Sequence, residues 1–159
     1  MLPDEDLVGK HYLTDPNWIK GVGEKAIAAY EKEGKKHPAK NAEEAGKIVY
    51  EKLKKYITSG PVVAMVWAGM NAVKIVRKIT GGTEPLTSDV GTIRGDLTID
   101  SYEIADVDGR AVRNLIHASG SVEEANKEIE LWFRPEELLS YRLVQESILY
   151  DVNLDGILE

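Results

Sequence analysis

The sequence contains no cysteine, which excludes disulfide bonds and thiolate chemistry. It has only three histidines, so a histidine-rich zinc site is not expected. No apolar run approaches the roughly 18 residues that a membrane-spanning helix needs. Acidic side chains occupy the N-terminus, where a signal peptide carries basic ones. These absences predict a soluble protein of the cytoplasm that does not associate with membranes.

Positive charge is also scarce, because 20 Lys and Arg residues stand against 27 Asp and Glu residues. The net charge of −7 and the pI near 5.1 argue against a dedicated nucleic-acid binder and against a binder of anionic membranes. A nucleotide-sized anion could still bind at a local cationic pocket or together with a metal ion.

The length of 159 residues predicts one domain over residues 1–159. Hydrophobic residues at 43% and charged residues at 30% exclude the collagen-like, disordered and low-complexity classes. Apolar periodicity predicts amphipathic helices separated by Gly- and Pro-containing turns. The first predicted helix includes residues 22–30, and the second begins near residue 42. Two more span residues 71–80 and 122–133, and a short helix begins at residue 135.

The apolar run at residues 61–67 predicts a buried strand, and residues 111–117 are a second strand candidate. Strands followed by helices are typical of a small α/β or α+β sandwich in which helices cover a sheet. Two strands are too few for a stable sheet, so we expect the sheet either to be incomplete in this chain or to be completed by something else. Residues 83–96 are rich in Gly, Pro, Thr, Ser and Asp and lack periodicity, which predicts a long loop of the kind that is usually functional or disordered.

His117 is the candidate nucleophile, because it follows the second predicted strand and precedes a Ser- and Gly-containing turn. A capping box of Ser121 and Glu124 begins the next helix. Neutral imidazole is a good nucleophile, and a nearby helix N-terminus favours an anion. The alternative is a structural histidine bonded to a turn carbonyl, and the spacing alone favours that alternative.

Glu128 lies eleven residues after His117, at the edge of the apolar stripe of the following helix near Trp132. A carboxylate there needs a partner, and a histidine N–H would serve while fixing the tautomer of the ring. The alternative is an exposed member of a charged run. The pattern leaves both interpretations open.

Arg94 lies between Gly91 and Gly95 in the predicted loop, where close backbone approach and a bidentate grip on phosphate are possible. Glycine-flanked arginines also occur in ordinary turns, so this signal is weak. Neither a Walker loop nor a G-x-G-x-x-G fingerprint occurs in the sequence.

Five runs, taken in order, resemble the nucleoside diphosphate kinase family. The dense resemblance covers about residues 58 to 139, and a shorter similarity, Lys10-His11-Tyr12, lies near the start. So many ordered matches are not an accident of composition. The runs are SGPVVAMVW, NAVKIVRKITGGTEP, GTIRGD, NLIHASGS and KEIELWFRPEEL.

The resemblance implies a ping-pong transfer of the terminal phosphate of a nucleoside triphosphate to a nucleoside diphosphate. His117 would become the phosphohistidine, and magnesium would be held mainly by the nucleotide phosphates. The resemblance also implies ATP and other nucleotides as ligands and a homo-oligomer, either hexamer or tetramer. By the same resemblance, Ser119 and Glu128 match the residues that orient the histidine, and Tyr12 matches a tyrosine close to it. The positions that hold the phosphates and ribose are matched by Arg77, Thr83, Arg94 and Asn114.

Two of these roles conflict with simple patterns. Arg77 lies on a charged helix face that could merely be solvated, although its place beside the loop favours phosphate contact. Strict alternation along a strand would place Asn114 and His117 on opposite faces. We therefore expect the strand to twist or end before His117.

The chain departs from the family pattern at several points. Gly120 stands where an aspartate is usual, and the paired phenylalanines are replaced by Val49 and Tyr50. Val49 is therefore an uncertain candidate for the surface that stacks on the base. Residues 13–41 are predicted to be a helical insertion, and residues 96–114 form a longer stretch than expected.

The fold implied by the resemblance is a ferredoxin-like α+β sandwich with an antiparallel sheet. The family begins with a strand bearing Lys-Pro-Asp, and nothing in this chain matches it. We expect the first strand, the first helix and most of the second strand to be missing, as in a truncated form of a longer enzyme. The leading hypothesis is thus a nucleoside diphosphate kinase, and the second is a catalytically impaired nucleotide-binding homologue or oligomer-forming fragment. A third hypothesis is an interaction domain without a ligand.

Overall fold

The structure, a computed structural model, describes residues 1–13, 15, 17–32, 34–141 and 143–149. Residues 150–159, which the single-domain prediction includes, lie outside the described residues. Two 3₁₀ turns, at Pro85–Thr87 and Pro135–Glu137, accompany the α-helices. The helices are α1 (Glu5–Tyr12), α2 (Trp18–Lys32), α3 (Ala42–Ile57), α4 (Ala72–Thr80), α5 (Ile93–Leu97), α6 (Tyr102–Val107), α7 (Val122–Trp132) and α8 (Glu146–Leu149).

Side-chain caps begin several of these helices. The Asn41 side chain accepts from the backbone N–H of Glu44 at the start of α3, and Ser121 accepts from Glu124 at the start of α7. Such caps satisfy backbone donors that have no partner within the helix. The helices predicted at α2, α3, α4 and α7 are confirmed, whereas α1 and α6 were not predicted.

Helices α2 and α3 pack closely because glycines line their contact. A Cβ atom built on Gly23 would lie 1.8 Å from the carbonyl oxygen of Ala42, and one on Gly46 would lie 1.9 Å from that of Ile19. Only glycine permits backbones to approach this closely. Helix α1 packs against both α3 and α7 and buries Val8 completely. It thereby connects the N-terminal helices to the loop that carries His117.

The predicted antiparallel sheet, and with it the ferredoxin-like sandwich, is wrong for the described residues, because none of them forms a strand. A strand requires a ladder of hydrogen bonds to a neighbour. Among the residues that the structure describes, the only backbone hydrogen bonds from the segment 61–67 to another segment join Val62 and Met1. The prediction of burial fails as well, since Val63 is 84% exposed and Trp67 is 59% exposed.

The second predicted strand, residues 111–117, is interrupted at Leu115. Its φ of 64° is a left-handed backbone conformation that is unusual for a leucine. The N–H of Ile116 donates to the carbonyl of Asn114 at 2.8 Å, which closes a tight turn there. The prediction of a strand over residues 111–117 is therefore wrong, because the described residues form no strand and the backbone turns at Leu115.

The predicted loop 83–96 is only partly irregular, because it contains a 3₁₀ turn and most of α5. Thr92 caps α5 by accepting from the N–H of Gly95. Among the described residues, no helix combines the length and the apolar character needed to cross a membrane.

Candidate active site

His117 lies in the irregular segment between Leu115 and the start of α7, and its side chain is 45% exposed. The ring is therefore accessible to a ligand. The carbonyls on either side of it, those of Ile116 and Ala118, each accept from an arginine guanidinium. The backbone that carries the histidine is thus held from both sides.

Helix α7 provides the carboxylate that holds the imidazole. His117 Nε2 lies 2.9 Å from Oε1 of Glu128, and the hydroxyl of Ser119 donates to Oε2 of Glu128 at 2.5 Å. Glu128 is only 8% exposed, so both of its oxygens bond inside the protein. The predicted association of these three residues is observed.

The ionisation of Glu128 defines the roles in this contact. Burial acts to raise the pKa of Glu128, but the hydrogen bond and charge of His117 and the bond from Ser119 hold that pKa below its usual value. An ionised carboxylate only accepts hydrogen bonds, so His117 Nε2 carries the donated proton. The remaining ring nitrogen, Nδ1, then has its lone pair available for attack.

A second histidine, which sequence analysis did not include in the site, lies against the first. The ring of His11 on α1 meets that of His117 edge to face, with centroids 4.7 Å apart, and His11 is 6% exposed. The indole N–H of Trp132 donates to Nδ1 of His11 at 3.1 Å. Burial, and then the nearby charge of His117, lower the pKa of His11 to about 4, so this ring is neutral at pH 7.

His11 was missed because its contacts are distant in sequence: Trp132 is 121 residues away. The one indication in the sequence was that His11 lies next to Tyr12 in the Lys10-His11-Tyr12 segment. The resemblance of that segment to the family assigned a role to Tyr12 alone. His11, His117 and Glu128 each offer a ligand atom, and these atoms lie within 4.8 Å of one another. The cluster could therefore hold a metal ion.

Tyr12 joins the site to the segment predicted as an insertion. Its ring lies 4.8 Å from that of Trp18 and 6.4 Å from that of Tyr50. Burial and the charge of Glu128 raise the pKa of Tyr12, so its hydroxyl stays protonated. Tyr12, Trp18 and Asp15 share with His117 and Glu128 a cleft of about 450 Å³. Residues 13–41 therefore contribute to the wall of this cleft.

Arg94 is almost completely buried, at 4% exposure. Its guanidinium donates to the carbonyls of Gly81, Gly82, Asn114 and Ile116. Burial, and then the charge of Arg77, lower the pKa of Arg94. In this structure Arg94 connects α5 to the segments 81–82 and 114–116, and its predicted contact with phosphate stays a prediction.

The other predicted nucleotide-binding residues lie nearby, with one exception. Arg77 on α4 donates to the carbonyl of Ala118 at 3.2 Å, and Asn114 donates its amide to the carbonyl of Thr83 at 3.1 Å. These contacts bring the α4 end, the residue 83 loop and the His117 segment together. Val49 lies instead on α3, next to Tyr50, and is partly buried.

The arrangement combines an accessible imidazole, a carboxylate behind it and two guanidinium groups at the adjacent backbone. A carboxylate at one ring nitrogen stabilises positive charge on the ring when the other nitrogen forms a bond. Cationic groups nearby favour an anionic reactant. The geometry is that of a nucleophilic site for an anion.

The chain has extensive similarity to known proteins. The family profile described as Nucleoside diphosphate kinase matches residues 19–138. A nucleoside diphosphate kinase of Pyrobaculum aerophilum is 45% identical over 141 residues, which are 86% of this chain and 76% of that protein. Mouse nucleoside diphosphate kinase B is 50% identical over 99 residues, or 62% of this chain and 59% of that protein. The chain thus spans about three fifths of the length of this animal relative.

Solved structures show the same similarity. A crystal structure of an NDP kinase from Pyrobaculum aerophilum superimposes with a TM-score of 0.83 at 41% identity, covering 88% of this chain and 79% of that one. A nucleoside-diphosphate kinase from Borrelia burgdorferi, described as a transition state mimic with bound vanadate and ADP, gives a TM-score of 0.73 at 31% identity. That match covers 93% of this chain and 74% of the Borrelia chain.

Proposed function

Because the chain belongs to the nucleoside diphosphate kinase family and is a phosphotransferase that acts on nucleotides, we propose that His117 carries the phosphoryl group. In the first half-reaction, Nδ1 attacks the terminal phosphorus of a nucleoside triphosphate. The bond to the bridging oxygen breaks, and a nucleoside diphosphate leaves. In the second half-reaction, another nucleoside diphosphate attacks the phosphohistidine and regenerates the free ring.

The observation that carries this proposal is the bond between His117 Nε2 and Glu128. It orients the ring and leaves Nδ1 as the attacking atom. Bond formation at Nδ1 places positive charge on the imidazole, and the buried carboxylate stabilises that charge. Phosphoryl transfer depends mostly on positioning and charge neutralisation, so a fixed ring is a large part of what the protein has to supply.

Ser119 and Tyr12 support the same ring indirectly. Ser119 donates to Oε2 of Glu128 and so fixes the carboxylate that fixes His117. We propose that Tyr12, whose hydroxyl stays protonated, limits the movement of the ring from the cleft side. Both are positioning residues in this proposal.

The nucleotide would lie on the side of His117 where the arginines meet the backbone. Arg77 and Asn114 are exposed or partly exposed there, and we propose that they contact phosphate and ribose with Thr83. Arg94 would act mainly by holding the surrounding carbonyls and by contributing its charge. Val49 is kept as the proposed contact for the base.

Members of this family require a divalent cation, and we propose that the ion is Mg²⁺. The described side chains do not fit an all-protein magnesium site, because Mg²⁺ prefers oxygen ligands and the cluster at His117 has a single carboxylate. The ion would therefore enter with the nucleotide phosphates.

We further propose that the chain is a single domain and that it assembles into a homo-oligomer, either a hexamer or a tetramer. Its location in the cytoplasm stays a prediction from the sequence. The exposed apolar side chains of Val63, Met65 and Trp67 support assembly, because large apolar groups exposed together mark contact surfaces. Sedimentation velocity on the full chain would give the oligomeric state directly.

The experiment that tests the function is labelling with ATP radiolabelled in the γ-phosphate. We expect an acid-labile, base-stable label that is discharged by added nucleoside diphosphate. His117→Ala should abolish the label, whereas the matched variant His37→Ala should retain it, because His37 bonds to the backbone N–H of Ala39 on a different part of the chain.

The same experiment distinguishes the proposed function from the second hypothesis, a catalytically impaired nucleotide-binding homologue. If the wild-type chain bound ADP but acquired no label, it would be a catalytically impaired homologue. A label that persisted in His117→Ala would place the nucleophile elsewhere.

A further inference from the structure

The cluster of His11, His117 and Glu128 has the composition of a transition-metal site. We propose that these three side chains bind Zn²⁺, and that the bound ion inhibits the enzyme by weakening the nucleophilic ring of His117. The ligand atoms would be Nδ1 of His11, Nε2 of His117 and a carboxylate oxygen of Glu128. Binding is a property of the cluster itself, whereas inhibition rests on the proposed function.

The distances suit a tetrahedral ion. Oε1 of Glu128 lies 2.9 Å from Nε2 of His117 and 3.6 Å from Nδ1 of His11, and the three ligand atoms lie within 4.8 Å of one another. Ligands at about 2.0 to 2.2 Å from tetrahedral zinc are roughly 3.3 Å apart. The two shorter distances fall on either side of that value. A separation of 4.8 Å would have to shorten by about 1.5 Å, so binding requires the His11 or His117 side chain to move towards the other.

The donor set selects the metal. Two imidazoles and one carboxylate suit zinc, which in catalytic sites has three protein ligands and an open fourth position. Mg²⁺ prefers an octahedral oxygen environment and would not compete well here. No sequence pattern indicates this site, because its histidines are 106 positions apart in a chain that has only three.

The cleft beside the cluster offers a route for a cation. Asp15, Glu123 and Glu124 line the cleft together with the three proposed ligands, and Lys127 is the only lysine or arginine among the described residues that line it. Lys127 is paired with Glu123 at 2.9 Å. The excess of carboxylates attracts a cation towards the exposed edge of His117.

Binding would change two hydrogen bonds. The proton on His117 Nε2 would be released to solvent, as is usual when a histidine ligates a metal. The indole N–H of Trp132, which donates to Nδ1 of His11, would lose that acceptor. Trp132 therefore competes with the ion, and its removal should strengthen binding.

The effect on the reaction follows from the charge of the ion. Zinc on Nε2 would withdraw electron density from the ring and neutralise Glu128, the group that stabilises the charged imidazole. Attack by Nδ1 on phosphorus should then be suppressed. Zinc is thus expected to lower the rate of label incorporation even when Mg²⁺ is in excess.

The test is isothermal titration of Zn²⁺ into the full chain without nucleotide and with excess Mg²⁺. We expect one ion per chain. His117→Asn, at an exposed position, should weaken binding at least about a hundredfold. His11→Asn should do the same, and His37→Asn is the matched control that should retain wild-type binding. Trp132→Phe should tighten binding roughly threefold to tenfold.

Unchanged affinity in both His117→Asn and His11→Asn would overturn the site, as would loss of binding in His37→Asn. Circular dichroism establishes that each variant is folded. Because the titration contains no nucleotide, it separates the two proposals. A chain that binds zinc at these residues but never acquires a γ-phosphate label would retain the metal site and lose the proposed function.

Discussion

The segment around His117 and the segment 61–67 are both irregular, yet they differ in how their backbone groups are satisfied. Around His117, the Arg94 guanidinium alone bonds to the carbonyls of four residues, and Arg77 bonds to a fifth. In residues 61–67, the described backbone groups pair with another segment only between Val62 and Met1, and Val63 and Trp67 extend their apolar side chains into solvent. An irregular segment becomes a defined site where side chains replace the partners that a sheet would provide.

The largest effect is expected at Arg94. Arg94→Ala should lower the free energy of unfolding by about 3 to 5 kcal/mol, because it removes a buried side chain and leaves several partly buried carbonyls without donors. Urea unfolding followed by circular dichroism measures the change. Arg77→Ala, which removes one bond from an exposed side chain, should cost less than about 1 kcal/mol. Equal costs for the two variants would contradict the comparison.

A smaller effect is expected at Gly23, where side-chain volume rather than hydrogen bonding is tested. Gly23→Ala should cost about 1 to 3 kcal/mol, because the new Cβ would overlap the backbone of α3. Gly21→Ala is the matched control on the same helix, since nothing lies within 4 Å of its Cβ. It should instead stabilise the protein by up to about 1 kcal/mol. Thermal unfolding of both variants decides the matter, and similar midpoints would contradict close packing of α2 on α3.

The pH dependence of stability tests Asp100, which accepts from Arg110 and from the N–H of Arg113. The hydrogen bond from Arg110 lowers the pKa of Asp100 from 3.8 to about 2. Because the pKa is lower in the folded state, this carboxylate stabilises the fold above pH 3.8 and loses that contribution as the pH falls towards 2. Urea midpoints between pH 5 and 2 should therefore fall less steeply in Asp100→Asn. Identical slopes in the two proteins would contradict the role of this ion pair.

The smallest effect is expected in the exposed segment. Val63→Thr, at 84% exposure, should change stability by no more than about 0.5 kcal/mol, whereas Val8→Ala, at 0% exposure, should cost about 2 kcal/mol. Chemical denaturation measures both. If Val63→Thr cost as much as Val8→Ala, the segment would be covered in solution, and the comparison would no longer hold.

The parts of the site that could be predicted from the sequence are close together along the chain. Ser119 and Glu128 lie two and eleven residues from His117, and the Ser121 cap defines where α7 begins. Helical periodicity placed Glu128 beside the apolar stripe of α7 but left its pairing with His117 open, and the resemblance to the kinase family supplied the roles of Ser119 and Glu128. The resemblance to the kinase family added Arg77 and Asn114, which do lie next to this segment.

The remaining features depend on partners that no local pattern identifies. His11 meets His117 and Trp132 through packing of α1 on α7, and Trp18 reaches the cleft from a segment with no predicted role. The valine-rich run 61–67 predicted a strand because apolar β-branched residues favour one. A strand also needs a neighbouring strand, and the described residues supply only the contact of Val62 with Met1.

We propose that the bond between Glu128 and Nε2 of His117 directs the phosphoryl group to Nδ1. Phosphorus NMR of the phosphorylated enzyme, denatured at high pH, distinguishes the two phosphohistidine isomers. The structure predicts the Nδ1 isomer. Phosphate on Nε2 would show that the bond to Glu128 does not orient the reacting ring, and would contradict the account.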